Sequence, residues 1–357
     1  MALCLVAGLA LWWFARGMDW ARASEAMKDA DWRLVAAAVV LICLTCLIRA
    51  FRWKTLLRPL APDASLREIF AATCVGFGAI FLLGRMGEIV RPAFLPLRDR
   101  AVRPAASFVT IALERVCDTA AVILLFAANL LLLRLPGVDA ATFARVRQAG
   151  LVLFACALLG LGALVWFGRH ADAVTARLDA WLVRLPRALR KVGGIASGLL
   201  GHLGRTLSVL SGARALLATA GWTALLWATI TLANMLVLRA FGVGVGPVET
   251  VFVLGWSLVG SVVPTPGAGA GTYHAATAAG LTRYLGFPEG QVQPAVIILH
   301  LVVFGSPILL GLYYFLRSGF SVARLRELVA EEEAEAEAEG RAGAEPREAG
   351  TAQAANA

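Results

Sequence analysis

Charge is scarce in this chain. Of its 357 residues only 16% are Asp, Glu, Lys or Arg, against roughly 25% in an ordinary soluble domain. Hydrophobic residues make up 59%, and the mean hydropathy is +0.74. That balance excludes a soluble enzyme and a disordered protein. The four histidines, at 170, 202, 274 and 300, are scattered, so no metal-ligand cluster, and no metal or other cofactor, is expected. The six cysteines (Cys4, Cys43, Cys46, Cys74, Cys117 and Cys156) all fall in apolar stretches, which excludes a disulfide scaffold. Cys43 and Cys46 form a C-x-x-C, but inside LVAAAVVLICLTCLI and without a βαβ context; they read as small packing residues rather than a redox pair. No ATP-binding motif is present.

What the chain has is long apolar blocks joined by short arginine-bearing loops. This is the pattern of an all-α polytopic membrane protein, since a crossing helix needs about 20 residues for about 30 Å of hydrocarbon. About eight blocks are legible: Ala2–Ala15, Trp32–Ala50, Ile69–Gly84, Pro104–Leu133, Gln148–Gly168, Ala215–Leu238, Thr250–Thr282 and Gly290–Leu316. The first has no basic region before it and is read as a retained helix rather than a cleaved signal. The net charge of +9 hides a split. Nine acidic and three basic residues follow Arg324, leaving 30 basic and 15 acidic in residues 1–324. A basic body in a membrane points to anionic lipid head groups and cytoplasmic loops. Nucleic-acid binding would need a basic face on a soluble module, and none is found.

Loop charges set an orientation by the positive-inside rule. Residues 17–31 hold two basic and four acidic groups and should face outward; 49–67 hold five and one, and 91–103 four and one, so both should be cytoplasmic. Two successive cytoplasmic loops predict that 68–90 enters the membrane and returns. Residues 134–147, three basic and one acidic, argue weakly against the outward side this scheme gives them. The connector 169–214, with eight basic and two acidic groups, is read as amphipathic helices on the cytoplasmic leaflet. Thr250–Thr282 holds 33 residues without Lys, Arg, Asp or Glu, about 50 Å as one helix, and is interrupted by PTPGAGAG at 264–271. It is predicted to dip in from the outside and return there. Two broken or re-entrant elements, one from each face, are the sequence pointer to a substrate site between inverted repeats. The halves share no residue-level identity, so any repeat is one of topology. Two domains follow: a transmembrane part, 1–325, and an acidic, largely disordered tail, 326–357.

Charges inside the apolar blocks mark the candidate site, because each costs about 2.5–3.5 kcal/mol near the bilayer centre. In GRMGEIVRP, a helix would place Arg85, Glu88 and Arg91 at i, i+3 and i+6, close to one face. That is either an internal salt-bridge lock or a phosphate site with one guanidinium to spare. In LERVCD, Glu114 and Asp118 share a face at i and i+4 beside Arg115, so an arginine or a proton must sit between them; Arg85 or Arg91 is the expected partner. Alternatively, this is a buried network that fixes helix packing. RAFRWK at 49–54 reads for the most part as positive-inside snorkelling with an interfacial tryptophan, although Arg49, the deepest, could reach a cavity. The run from Pro264 through Pro266, Gly267, Gly269 and Gly271 could present backbone groups to a ligand. Tyr273 and His274 follow it.

RAFRW, GRMGEIVRP, LERVCD and PTPGAGAG occur in this order over about residues 1–325. Together they resemble the lysylphosphatidylglycerol synthase transmembrane family of flippase-like membrane proteins. The resemblance implies a member without the soluble aminoacyltransferase domain, hence a lipid flippase or transporter of the bacterial cytoplasmic membrane and not an enzyme. It would carry an anionic or aminoacylated phospholipid or a polyprenyl-phosphate lipid. Three departures stand out. Ala268 replaces the family's second glycine, Tyr273-His274 stand near the place of its acid, and Leu82-Leu83 precede the first Gly-Arg where Asn and Pro are common. Arg49, Arg85, Arg91 and Arg115 would bind the phosphate, with Glu88, Glu114 and Asp118 holding or neutralising them. Movement would be passive or ion-coupled, with His274 or a carboxylate as the proton carrier. Two other functions remain open: a glycosyltransferase or lipid-modifying enzyme of polyprenyl-sugar pathways, and a non-catalytic partner of a separately encoded lipid synthase. Against the first, the loops offer no D-x-D beyond Asp29-Ala-Asp31, which should face outward. A second copy of the chain or such an enzyme are the candidate protein partners.

Overall fold

The computed structural model describes residues 20–83, 87–133, 140–182, 201, 204, 207, 212–263 and 266–319. The block Ala2–Ala15, the segment Gly84-Arg85-Met86, Pro264, Thr265 and the tail 326–357 lie outside the described residues. Among those described there is no strand.

The helices are α1 (Trp20–Asp29), α2 (Trp32–Leu57), α3 (Leu66–Leu83), α4 (Gly87–Arg98), α5 (Pro104–Leu132), α6 (Ala140–Leu182), α7 (Ala213–Ala240), α8 (Pro247–Gly260), α9 (Thr272–Ala279), α10 (Glu289–His300) and α11 (Ser306–Ser318). π-helical turns follow α9 at Gly280–Tyr284 and join α10 to α11 at Leu301–Gly305. Five stretches among the described residues are long and apolar enough to cross a membrane: Trp32–Leu57, Pro104–Leu132, Arg147–Leu182, Ala213–Ala240 and Glu289–Ser318. Large apolar side chains such as Leu159, Leu217, Leu309 and Leu316 are exposed, the arrangement of a polytopic protein whose outer solvent is lipid.

Contacts divide the chain into two units, Met1–Leu159 with Leu217–Phe320, and Gly160–Leu216 with Ser321–Ala357. In the first, side chains of α2, α7, α8 and α10 form the largest core, with Ala38, Ile42, Val237, Val253, Val296 and Leu299 buried. Asp31 starts α2: its carboxylate accepts from Arg33 N–H, and its own N–H donates to the Ala240 carbonyl at the end of α7. The helix α6 bends at His170 (φ −123°), just past the apolar block that ends at Gly168, and runs on to Leu182. The boundary drawn at 168–169 falls at this bend, and ADAVTARLDAWL beyond it is helical, as expected for the start of the connector, with helix-forming residues and no Gly or Pro.

The two predicted broken elements are folded-back pairs. α3 and α4 pack along each other; a Cβ at Gly87 would collide with the α3 backbone at Ala79 and Ile80, and one at Gly76 with the Arg91 side chain. α8 and α9 do the same, where a Cβ at Gly260 would stand 2.6 Å from the Thr272 carbonyl oxygen. Between them the chain turns through left-handed backbone, with φ of 73° at Gly267, 55° at Ala268, 87° at Gly269 and 89° at Gly271. This turn packs on α3, which is also covered by α11.

Candidate functional site

Three helices carry the charged cluster. Arg52 comes from α2, Arg91 from α4, and Glu114, Arg115 and Asp118 from α5. Arg52 is fully buried and grips Asp118 with both terminal nitrogens, Nη1 to Oδ1 at 2.6 Å and Nη2 to Oδ2 at 3.0 Å. Its Nη1 also donates to Thr223 Oγ1 on α7, at 3.2 Å. Glu114 is likewise fully buried, and its Oε1 receives Arg91 Nη1 at 2.5 Å and Arg52 Nη2 at 3.0 Å. The i, i+4 carboxylates are thus held apart by arginines from two other helices, as their repulsion requires.

Arg52 was not expected here. Sequence reasoning assigned it to the interface with Lys54, because a cation at the end of an apolar block normally snorkels to water. The structure corrects this: α2 runs without a break to Leu57, and Arg52 points inward to Asp118. One signal was available, since two buried carboxylates on one face call for two cations. Arg49, half-buried, lies with its guanidinium 4.3 Å from the Phe77 ring centroid. It has no acidic partner within 4.0 Å among the described residues.

Of the expected trio, Glu88 and Arg91 lie three positions apart on α4 as the sequence spacing required, and Arg85 lies outside the described residues. Arg91 turns to Glu114, while Glu88 faces Arg115 at 3.9 Å. Arg115 is 3.6 Å from Glu114 and 3.7 Å from Asp118 as well. It is therefore shared among three carboxylates, none of them within hydrogen-bonding distance, and it and Glu88 are both about 40% exposed.

A shallow cleft between the α3–α4 pair and α5, with closed space for about one water molecule, is lined by Phe77, Ile80, Glu88, Arg91, Ile111 and Arg115. Arg91 presents there with a particular deficit. Its Nη1 is taken by Glu114, its face stacks over Trp53 at 4.3 Å, and its Nε and Nη2 are buried without a hydrogen-bond partner among the described residues. These two nitrogens form one edge of the planar guanidinium, the edge that holds two oxygens of a phosphate or carboxylate side by side. Arg115 Nε is unpartnered as well. Four arginines (49, 52, 91 and 115) stand with three acids (88, 114 and 118), leaving one positive charge in excess among the described residues.

The turn at 266–271 forms a separate cluster. Ala268 and Gly269 are buried, and the Gly271 N–H already donates to His274 Nδ1 at 3.1 Å, so the backbone here is less available to a ligand than its glycine content suggests. Tyr273 and His274 on α9 meet His300 on α10, with ring centroids 4.9 Å and 4.6 Å from it. His300, not among the candidate site residues, is the centre of this cluster and also faces Phe81 of α3.

The family described as lysylphosphatidylglycerol synthase TM region matches residues 1–311. The chain belongs to that family. Comparison with curated proteins and with solved structures gave no match. Membership in the lysylphosphatidylglycerol synthase TM family places the arginine–carboxylate cluster in a membrane protein of lipid-related function.

Proposed function

We propose that the protein moves a phosphate-bearing lipid between the leaflets of the bacterial cytoplasmic membrane, acting as a transporter and not as an enzyme. The observation that carries this reading is the unengaged, buried Nε/Nη2 edge of Arg91, a residue that lines a cleft together with the half-exposed Glu88 and Arg115. A phosphate takes that edge with two oxygens and Arg115 with a third. Arg52, Glu114 and Asp118 form the floor that keeps Arg91 in place, and the acyl or prenyl tails stay in lipid. The excess positive charge favours an anionic head group over a neutral one.

The test is leaflet exchange of labelled lipids in proteoliposomes, with phosphatidylglycerol, aminoacylated phosphatidylglycerol and a polyprenyl phosphate in turn. Arg91→Lys keeps the charge but loses the two-pronged edge. A charged hydrogen bond is worth about 1.5–3 kcal/mol, so exchange should fall roughly 10- to 100-fold. Arg115→Gln should also slow exchange. Wild-type rates in folded Arg91→Lys and Arg115→Gln, or no exchange by wild type with any of the three lipids, would overturn the reading.

A further inference from the structure

His274 occupies an unusual post. Gly271 is the N-cap of α9, and the N3 residue reaches back to accept the cap's N–H. Glu or Gln ordinarily does this. Here an imidazole does it through Nδ1, which binds that N–H only while Nδ1 carries no proton. In the neutral ring the proton must therefore be on Nε2. Adding a second proton turns Nδ1 into a donor facing another donor. The hydrogen bond is lost, and the new cation sits at the positive end of the α9 dipole.

The turn that this contact closes has left-handed backbone at four of its residues, including the non-glycine Ala268 at φ 55°, a conformation that persists only where its surroundings enforce it. We propose that His274 is a proton-operated latch on the 266–271 turn: neutral, it ties Gly271 and holds the turn closed; protonated, it releases it.

The titratable neighbours that face His274 are Tyr273 on its own helix and His300 on α10. With ring centroids 4.6 Å apart, a charge on either imidazole disfavours a charge on the other. Of the other groups on the elements packed against α9, Glu249 of α8 is engaged with Gly246 N–H at the far end of that helix. Glu289 opens α10 at the end opposite His300, roughly 16 Å away along the helix. On the π-turn, Arg283 is exposed and Tyr284 is stacked on Trp256.

The inference rests on hairpin geometry and not on lipid transport, and its test reads no transport. The full chain, reconstituted with ¹⁵N-labelled histidine and glycine, is followed by NMR between about pH 8 and 4.5, the range in which histidine ordinarily titrates. The His274 ring nitrogens and the Gly271 amide should shift with one shared midpoint. In His274→Asn, the side-chain oxygen takes the place of Nδ1 and accepts the Gly271 N–H at every pH, so the Gly271 amide should stay where wild type has it at pH 8. The latch is overturned if His274 does not titrate in this range, if it titrates while Gly271 stays still, or if Gly271 moves equally in His274→Asn.

Discussion

Arg52 and Asp118, 66 positions apart in sequence, are joined by two hydrogen bonds of 2.6 and 3.0 Å in the interior of the helix bundle. Removing Asp118 leaves the buried Arg52 with a single carboxylate contact, to Glu114 Oε1 at 3.0 Å, at a cost approaching that of breaking a buried pair, about 3–5 kcal/mol. Asp118→Asn should therefore lower the unfolding temperature sharply in detergent. The paired change Arg52→Met with Asp118→Leu should restore most of the loss, because Glu114 keeps Arg91. If Asp118→Asn unfolds like wild type, this contact does not hold α2 against α5.

The two glutamates of the cluster should behave differently. Glu88 is half-exposed and 3.9 Å from its partner, and such pairs contribute about 0–1 kcal/mol. Glu88→Gln should leave stability nearly unchanged while strengthening binding of a phosphate-bearing lipid, measured by native mass spectrometry. Glu114→Gln deprives the buried Arg91 of its carboxylate and leaves Arg52 with Asp118 alone, and it should destabilise by several kcal/mol, of the order found when one partner of a buried pair is removed. Equal destabilisation by both substitutions would contradict this division.

Ala268 holds a backbone conformation that costs an L residue about 1–2 kcal/mol. Glycine adopts it freely but loses roughly 0.5–1 kcal/mol in chain entropy. Ala268→Gly should therefore stabilise by about 0.5–1 kcal/mol, visible as a rise of a few degrees in thermal unfolding. A fall would mean that the buried methyl group matters more than the backbone.

Gly87 starts α4 directly against the α3 backbone, where any side chain collides with Ala79 and Ile80. Gly87→Val should separate the folded-back pair. Folded yield should drop, and a cysteine placed at Ile80 should become accessible to a maleimide in a cysteine-free background. Wild-type yield and labelling would show that the pair tolerates the extra width.

The helices were legible because membrane-spanning segments announce themselves by hydropathy. The folding back of residues 68–90 was legible from two successive basic loops on one side, and that of Thr250–Thr282 from a charge-free length, interrupted by Gly and Pro, that exceeds what one crossing can use. The site was legible only in part. Arg91, Glu114 and Asp118 stand out as charges within apolar blocks, but Arg52 looks like an interface anchor until the partner 66 positions away is known. Helical spacing grouped Glu88 with Arg91, and both line one cleft, but their different partners on α5 could not be read from spacing. The end of the apolar block at Gly168 falls beside the bend at His170. His300 joins His274 only through tertiary packing, which local patterns do not encode.

Phe77 and Phe81 are one turn apart on α3, the first beneath Arg49 and beside Arg91, the second beside His300. One rigid shaft thus bears on both polar clusters. Its close seat against Gly311 of α11 leaves little room for bending, so a slide or rotation of α3 that widened the arginine cleft would also shift the ring packed on the histidines. The two clusters share one helix as their common wall.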